Sequence, residues 1–185
     1  MADSRFLVET GQCKRNDLLF KGAALAVASG VDVHIRLLRR ASSPDQDLAG
    51  RMIEDLGLSD RVEWLDAGTP EGFTWEELAT LYRSSDLVVD DFGGWFGLVA
   101  LEGAACARPV LNWVDSVVMD EMYPDGHPFL QASDAEQVAN VIAGLAGSDR
   151  LVEIGDQSRD WVVRHHGRSV VARHAELALG GLGLR

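Results

Sequence analysis

The chain has 185 residues, of which 46% are hydrophobic and 25% are charged, a composition typical of a globular protein and unlike that of a disordered or collagen-like one. With 29 acidic and 17 basic residues its formal charge is −12, so we expect it to bind neither nucleic acid nor anionic membrane surfaces. Two cysteines without a paired spacing, no apolar run long enough to span a bilayer and no secretory signal predict a cytoplasmic protein without an integral membrane segment.

The first ninety residues alternate between strand-like and helix-like patterns. In chain order they predict strand 5–9, polar loop 10–20, helix 21–29, strand 31–38, helix 44–56, strand 61–65, helix 75–82 and strand 86–90. Local signals support the helix ends. Gly30 and Gly57 follow two of the helices, and Thr74 with Glu77 forms a capping-box sequence before a third.

The second half of the chain continues the alternation after a glycine break. In order it predicts the break at 93–94, helix 97–107, strand 109–113, a short segment at 119–123, a turn at 124–126, strand 129–130 and helices at 134–146, 150–165 and 170–179. The tail at 180–185 is expected to fray. His165, His166 and His174 are predicted to be surface residues of the last helices.

The predicted strands are nearly continuous in Val, Leu and Ile, a pattern typical of parallel strands that helices cover on both faces. The sequence therefore predicts a single α/β domain over residues 1–185. Its expected fold is doubly wound, Rossmann-like and three-layered, with a mostly parallel sheet of about six strands. Ligands of such folds bind in the loops that follow the carboxyl ends of the strands, and two of these loops are candidate sites.

The first candidate loop follows the first predicted strand and holds both lysines of the chain. Lys14, Arg15 and Lys21 lie close together in sequence, and Lys21-Gly22 opens the next helix. Cationic side chains and the free N–H groups of a helix N-terminus together favour a phosphate. Long polar loops also carry basic residues without any ligand, so composition alone leaves both interpretations open.

The second candidate loop is the glycine-rich stretch DDFGGWFGL at 90–98. Its glycines allow a ligand to approach the backbone, and Gly97-Leu98 begins a helix. Glu102 lies about one turn further along, where a carboxylate is able to accept hydrogen bonds from the vicinal hydroxyls of a ribose. An acid near the start of a helix also complements the helix dipole, and this second explanation of Glu102 is equally good.

The stretch GWFGLVALEGAACARPV at 94–110 closely resembles the donor-sugar loop and helix of GT-B glycosyltransferases, in the large, mostly retaining group-1, family-4-like class. That class has the pattern E-G-F-G-L-x-x-x-E-A-M-A-x-G-x-P-V here. Further segments match in the same order, and the resemblance covers residues 6 to about 179. It implies that the chain is similar to the C-terminal half of such an enzyme, which binds the nucleotide-sugar donor.

The resemblance implies a role for each matching residue. Arg15 and Lys21 match the family's Arg and Lys on the donor diphosphate. Gly97 and Leu98 match its backbone donors to phosphate or sugar, and Glu102 matches the second acid of the Glu-x7-Glu motif, which holds the ribose. The implied donor is a UDP- or GDP-sugar, with no further cofactor and no metal, and no catalytic residue is assigned.

The first acid of the Glu-x7-Glu motif is absent, because Gly94 stands in its place. A branch of the family has Gly-Trp-(Tyr or Phe)-Gly here, with a Tyr-Pro-acid-Gly further downstream, and this chain is similar to that branch. The candidates for contact with the donor sugar are then Gly94, Trp95 and Phe96, with Asp91 or Asp90 as the replacement carboxylate. Either aspartate is as well explained as the cap of a strand end.

The acceptor-binding half of a GT-B enzyme has no counterpart in the sequence, because the first strand is already predicted near Arg5. The expected partners are a nucleotide sugar and a separate acceptor-binding domain or subunit. Self-association, in which a second copy of the chain completes the cleft, is the alternative. We expect glycosyl transfer in polysaccharide or glycoconjugate synthesis, and no transfer by the chain alone.

Three other functions are compatible with an alternation of strands and helices or with single motifs of the sequence. An NAD-dependent dehydrogenase would need G-x-G-x-x-G after the first strand and an acid after the second, and the sequence has neither. An Asp-x-Asp at 45–47 resembles the metal site of a different transferase fold, but acids are favoured at any helix start. A non-catalytic nucleotide-binding or partner-binding domain stays open as the alternative function, and Gly94 is its main support.

Overall fold

The computed structural model describes residues 14–39, 44–69 and 72–181. The first predicted strand, at 5–9, and the end of the predicted tail lie outside the described residues. Within the described ranges, no helix combines the length and the hydropathy needed to cross a membrane.

The described ranges contain eight helices and five strands, which alternate through most of the chain. The helices are α1 (Asp17–Ala28), α2 (Pro44–Asp55), α3 (Trp75–Arg83), α4 (Leu98–Ala105), α5 (Ser116–Met122), α6 (Ala135–Leu145), α7 (Arg150–His166) and α8 (Arg168–Gly181). The strands are β1 (Ile35–Leu38), β2 (Val62–Leu65), β3 (Val88–Val89), β4 (Val110–Asn112) and β5 (Leu130–Gln131).

All strand pairs between the named strands are parallel. β1 pairs with β2, and β3, β4 and β5 form a second sheet in that order. The α/β class with parallel strands is thus confirmed. The prediction was one sheet of about six strands, whereas the described residues hold five strands in two sheets.

Helices cover both faces of the second sheet, as in a doubly wound fold. Val89 and Leu111 belong to one buried cluster, which also contains residues of α1, α2 and α6. Their neighbours Val88 and Val110 belong to a second cluster, with residues of α3, α4, α5 and α7. Because successive side chains of a strand point to opposite faces, the two clusters lie on opposite sides of the strands and give three layers.

Several helix ends follow the local signals in the sequence. The capping box before α3 is present: Thr74 Oγ1 accepts from Glu77 N, and Glu77 Oε2 accepts from Thr74 N at 2.8 Å. Gly30 and Gly57 have positive φ values of 93° and 68°, the left-handed conformation that commonly follows a helix.

The extent of the first helix was predicted wrongly. A polar loop was expected to reach residue 20, but α1 begins at Asp17. Leu18, Leu19 and Phe20 are buried in the first cluster. Their burial favours a helix that packs against the core, and this tertiary contribution outweighs the weak local pattern of the segment.

Candidate functional site

The structure brings the two candidate loops together. The backbone N–H of Phe92, in the glycine-rich loop, donates to the carbonyl of Lys14 at 2.9 Å. Lys14 Nζ lies 3.7 Å from the Asp91 carboxylate. The start of α1 and the loop that follows β3 are therefore neighbours at one edge of the molecule, as expected for loops at the carboxyl ends of parallel strands.

The cations before and within α1 are gathered around one carboxylate. Asp17 accepts from Arg15 Nε at 3.2 Å and from Lys21 Nζ at 3.0 Å. The Asp17 side chain is nearly buried, whereas the two cationic side chains are about half exposed. Arg15 also has a φ of 52°, a conformation that costs energy for a residue with a side chain. Sequence reasoning grouped Arg15 and Lys21 but missed Asp17, whose carboxylate holds them side by side.

Gly94 is held in a conformation that suits glycine. Its φ is 97°, and a side-chain Cβ at this position would lie 3.1 Å from the ring of Trp113. The Gly94 N–H donates to Trp113 O at 3.2 Å, and the Gly94 carbonyl accepts from Asp115 N at 2.9 Å. Gly94, which stands where the similar GT-B pattern has its first acid, is thus packed against the residues that follow β4.

The first residues of the helix that follows the glycine loop rest on a buried acid. Asp90 is 1% exposed, and its Oδ2 accepts a hydrogen bond from the Gly97 N–H. Burial raises the pKa of the Asp90 carboxyl, as does neighbouring Asp91, whereas the Gly97 hydrogen bond and Lys14 lower it. In this structure Asp90 therefore occupies the backbone donor that the resemblance assigned to the ligand.

Trp95 and Phe96 have different environments although their rings are stacked. Their ring centroids are 5.5 Å apart, and the angle between the two ring planes is 5°. The Trp95 indole is 45% exposed, whereas Phe96 is 7% exposed. Of these two rings, Trp95 is therefore the one that presents a broad aromatic surface to solvent.

The ring of Phe96 sits on an aromatic cluster that includes two histidines expected at the surface. The Tyr123 hydroxyl and His166 Nε2 are 3.0 Å apart, and His165 packs against Trp161 with ring centroids 5.1 Å apart. Burial lowers the pKa of His166. These two histidines were predicted to be surface residues, and they are instead partly buried, because they lie on the side of α7 that packs against the segment around Tyr123.

Glu102 has a hydrogen-bond partner that the sequence reasoning missed. The Tyr82 hydroxyl, from α3, donates to Glu102 Oε2 at 2.7 Å. Tyr82 is 6% exposed and Glu102 is half-buried. Nothing in the local spacing of Tyr82 distinguishes it from a core tyrosine, so only the packing of α3 against α4 identifies this contact.

A cavity of about 790 Å³ lies away from these loops, between β1, β3 and the connection from α6 to α7. Its lining includes Tyr82 but none of the residues predicted to contact the donor. Among the described residues, no three His, Cys, Asp or Glu side chains are grouped so as to hold a metal ion.

Comparison with known proteins supports the resemblance. No protein-family model matches the chain. D-inositol 3-phosphate glycosyltransferase of Rhodococcus erythropolis is 33% identical over 104 residues, which are 53% of this chain and 22% of that protein.

Two solved structures extend the likeness to the fold. HepE of Anabaena, in complex with UDP and glucose, has a TM-score of 0.70 and 20% identity over 91% of this chain and 45% of that one. Sucrose-phosphate synthase from Thermosynechococcus elongatus has a TM-score of 0.67 and 20% identity over 90% of this chain and 43% of that one. These neighbours are GT-B glycosyltransferases, so the expected resemblance to a GT-B domain is confirmed. The chain spans less than half the length of each protein compared.

Proposed function

We propose that this chain is the donor-binding half of a GT-B glycosyltransferase and binds a nucleoside-diphosphate sugar in the crevice between the start of α1 and the loop at 90–97. The observation that carries the proposal is the contact between the two loops through Lys14, Phe92 and Asp91. It joins a cationic group to a glycine-rich loop and a helix start, which is the chemistry that a sugar diphosphate requires.

The diphosphate is assigned to Arg15 and Lys21. Their side chains are about half exposed, and the buried carboxylate of Asp17 holds both of them on one side of the crevice. Because Asp17 neutralises only one of the two positive charges, the group keeps a net positive charge. A diphosphate would then form charge-assisted hydrogen bonds with two cations that are already oriented.

The start of α4 supplies the backbone donors. Asp90 accepts from the Gly97 N–H, and this bond fixes the first turn of the helix. The other N–H groups of the first turn of α4, beginning with Leu98, have no partner within their own helix. They lie at the end of α4 that follows the loop at 90–97. Phosphate or sugar oxygens are therefore assigned to the Leu98 end, with Gly97 contributing through its close backbone approach.

The ribose and the donor sugar are assigned to the remaining residues of the loop and helix. Glu102 accepts hydrogen bonds from the ribose hydroxyls. Gly94 and Trp95 are assigned to the donor-sugar position, and the Phe96 ring stacks on Trp95. Asp91, a partly buried carboxylate that pairs with Lys14, is assigned the place of the missing acid. The donor is a UDP- or GDP-sugar, and we expect its binding to need neither a cofactor nor a divalent metal.

Titration calorimetry of the purified chain with UDP, GDP and their sugars tests this function. Arg15→Ala or Lys21→Ala is expected to weaken binding of the nucleoside diphosphate about tenfold or more, because each removes a charge-assisted bond worth roughly 1.5–3 kcal/mol. Binding of the uncharged nucleoside should change little.

Arg159→Ala is the matched control, since Arg159 is an exposed arginine on α7 and should leave both affinities unchanged. Equal losses for the diphosphate and the nucleoside would contradict the assignment of the phosphate. If no nucleotide or nucleotide sugar binds, the alternative of a partner-binding domain replaces this function.

A further inference from the structure

The hydrogen bond between Tyr82 and Glu102 joins two neighbouring helices. Tyr82 lies in the last turn of α3, and Glu102 lies in the middle of α4. The phenol oxygen and Glu102 Oε2 are 2.7 Å apart, the short distance typical of a hydroxyl that donates to a carboxylate. Tyr82 is 6% exposed, so the surrounding core restricts the position of its ring.

The end of α3 is itself anchored to the sheet. From β1, the Arg36 guanidinium donates to the Ser84 carbonyl at 2.8 Å and to the Ser85 hydroxyl at 2.6 Å. These bonds are made immediately after the turn that contains Tyr82. The last turn of α3, which carries Tyr82, is thus tied to β1 through the two residues that follow the helix.

The direction of the hydrogen bond is fixed by the protonation state of the phenol. Burial raises the pKa of Tyr82 well above its ordinary value, and the neighbouring Glu102 and Asp90 carboxylates raise it further. The phenol therefore stays neutral near pH 7 and donates its proton to Glu102 Oε2. Among the residues that the structure describes, none donates to Glu102 Oε1, which keeps its acceptor capacity for a ligand.

We propose that Tyr82 is a positioning residue, which fixes the Glu102 carboxylate in the orientation that accepts the ribose hydroxyls of the nucleotide. This inference rests on the proposed function. A glutamate on a helix surface has several rotamers, and a ligand that selects one of them must restrict the side chain. A carboxylate that is already fixed by Tyr82 avoids this cost when the ribose binds.

Tyr82→Phe tests the role, because it removes the hydroxyl and keeps the ring. Affinities are measured by calorimetry for whichever of UDP and GDP binds the wild-type chain, and for its 2′,3′-dideoxy counterpart. The variant should bind the ribonucleotide about three- to tenfold more weakly and the dideoxynucleotide almost unchanged. In a Glu102→Ala background, the same substitution should cause no further loss, since Tyr82 acts through Glu102.

Tyr123→Phe is the matched control, because the hydroxyl of this second buried tyrosine contacts His166 on α7 and not Glu102. It should leave the ratio of the two affinities unchanged. If Tyr82→Phe leaves that ratio unchanged, or weakens both nucleotides equally with a lower melting temperature, Tyr82 is merely structural and the inference is overturned. If the wild-type chain binds neither UDP nor GDP, the proposed function itself fails, a result distinct from the former two.

Discussion

At the scale of single residues, two glycines of the candidate site lie close against the side chains of other residues in the site. Gly94 has a φ of 97°, and a Cβ at this position would lie 3.1 Å from the Trp113 ring. A glutamate could therefore not be placed there without strain. A Cβ at position 97 would likewise meet Asp90 Oδ1 at 3.3 Å. The absence of an acid at position 94 is therefore accompanied by specific packing, which argues against random degeneration of the loop.

Asp90 should make the stability of the chain depend on pH. Its pKa is raised above the ordinary value of 3.8, chiefly by burial, so the folded protein holds this proton more tightly than the unfolded chain does. The contribution is fully present below pH 3.8 and is lost as the pH rises through the raised pKa. Relative to Asp90→Asn, the wild-type free energy of unfolding should therefore fall as the pH rises from about 4 to 7.

Urea unfolding of both proteins at several pH values measures this difference. Asn keeps an oxygen that is able to accept from the Gly97 N–H, so the comparison isolates the titration. A difference that is flat with pH, or one that grows in favour of the wild type, would mean that burial does not dominate the environment of Asp90.

At the scale of elements, the site depends on how two helix starts are fixed against the rest of the fold. α1 packs on α6 so closely that a Cβ at position 22 would lie 2.4 Å from Val138 Cγ1 and 2.9 Å from the Ala135 carbonyl. The sequence suggested that Lys21-Gly22 matters for a phosphate. The structure provides a different reason for a glycine at position 22, which is the close approach of α1 and α6. The position of Lys21 thus depends on the packing of α1.

Gly22→Ala is expected to destabilise the chain by about 1–3 kcal/mol, because the helices must separate to admit the methyl group. Binding of UDP should weaken as well, since Lys21 moves with α1. Gly50→Ala in α2 is the control: nothing lies within 4 Å of its Cβ position, so the change should be neutral or stabilise by up to about 1 kcal/mol. Equal effects of the two substitutions in urea unfolding would refute the packing argument.

At the scale of the whole molecule, the fold of the described residues resembles one domain of a GT-B glycosyltransferase, and the proposed donor site is open to solvent. Trp95 is 45% exposed and Leu98 is 70% exposed, although both stand at the predicted sugar and phosphate positions. Glycosyl transfer requires an acceptor held in line with the anomeric carbon and a site that excludes water. The exposed surface around Trp95 and Leu98 supplies neither condition.

We therefore predict that this polypeptide alone binds a nucleotide sugar, without a requirement for divalent metal, and transfers essentially no sugar. Addition of an acceptor-binding half, fused or as a separate chain, should produce transfer that a radiolabelled-donor assay detects. Activity that rises with protein concentration would instead indicate that two copies build the cleft. Robust transfer by the monomer, with EDTA present or absent, would overturn the expectation.

The sequence by itself predicted the order of the helices and strands within the described residues, their parallel arrangement and the two loops that the structure brings together. These features depend on near neighbours in the chain: apolar runs, the Thr74–Glu77 capping box, and glycines where φ is positive. The pattern at 94–110 also predicted a role for each loop residue, and these roles stay predictions. The ends of the helices were predicted less well. α1 begins four residues earlier than predicted, because burial of its first turn is a tertiary effect.

The tertiary structure alone decided which distant side chains meet. Tyr82 and Glu102 are 20 residues apart, and Tyr123 and His166 are 43 residues apart, so no local periodicity pairs them. The hydrogen bond from the Gly97 N–H to Asp90 could not be predicted from the sequence either, because it depends on how the loop at 90–97 folds back on β3. Local sequence fixes backbone preference and the buried face of each element, whereas contacts between elements are selected by packing of the complete core.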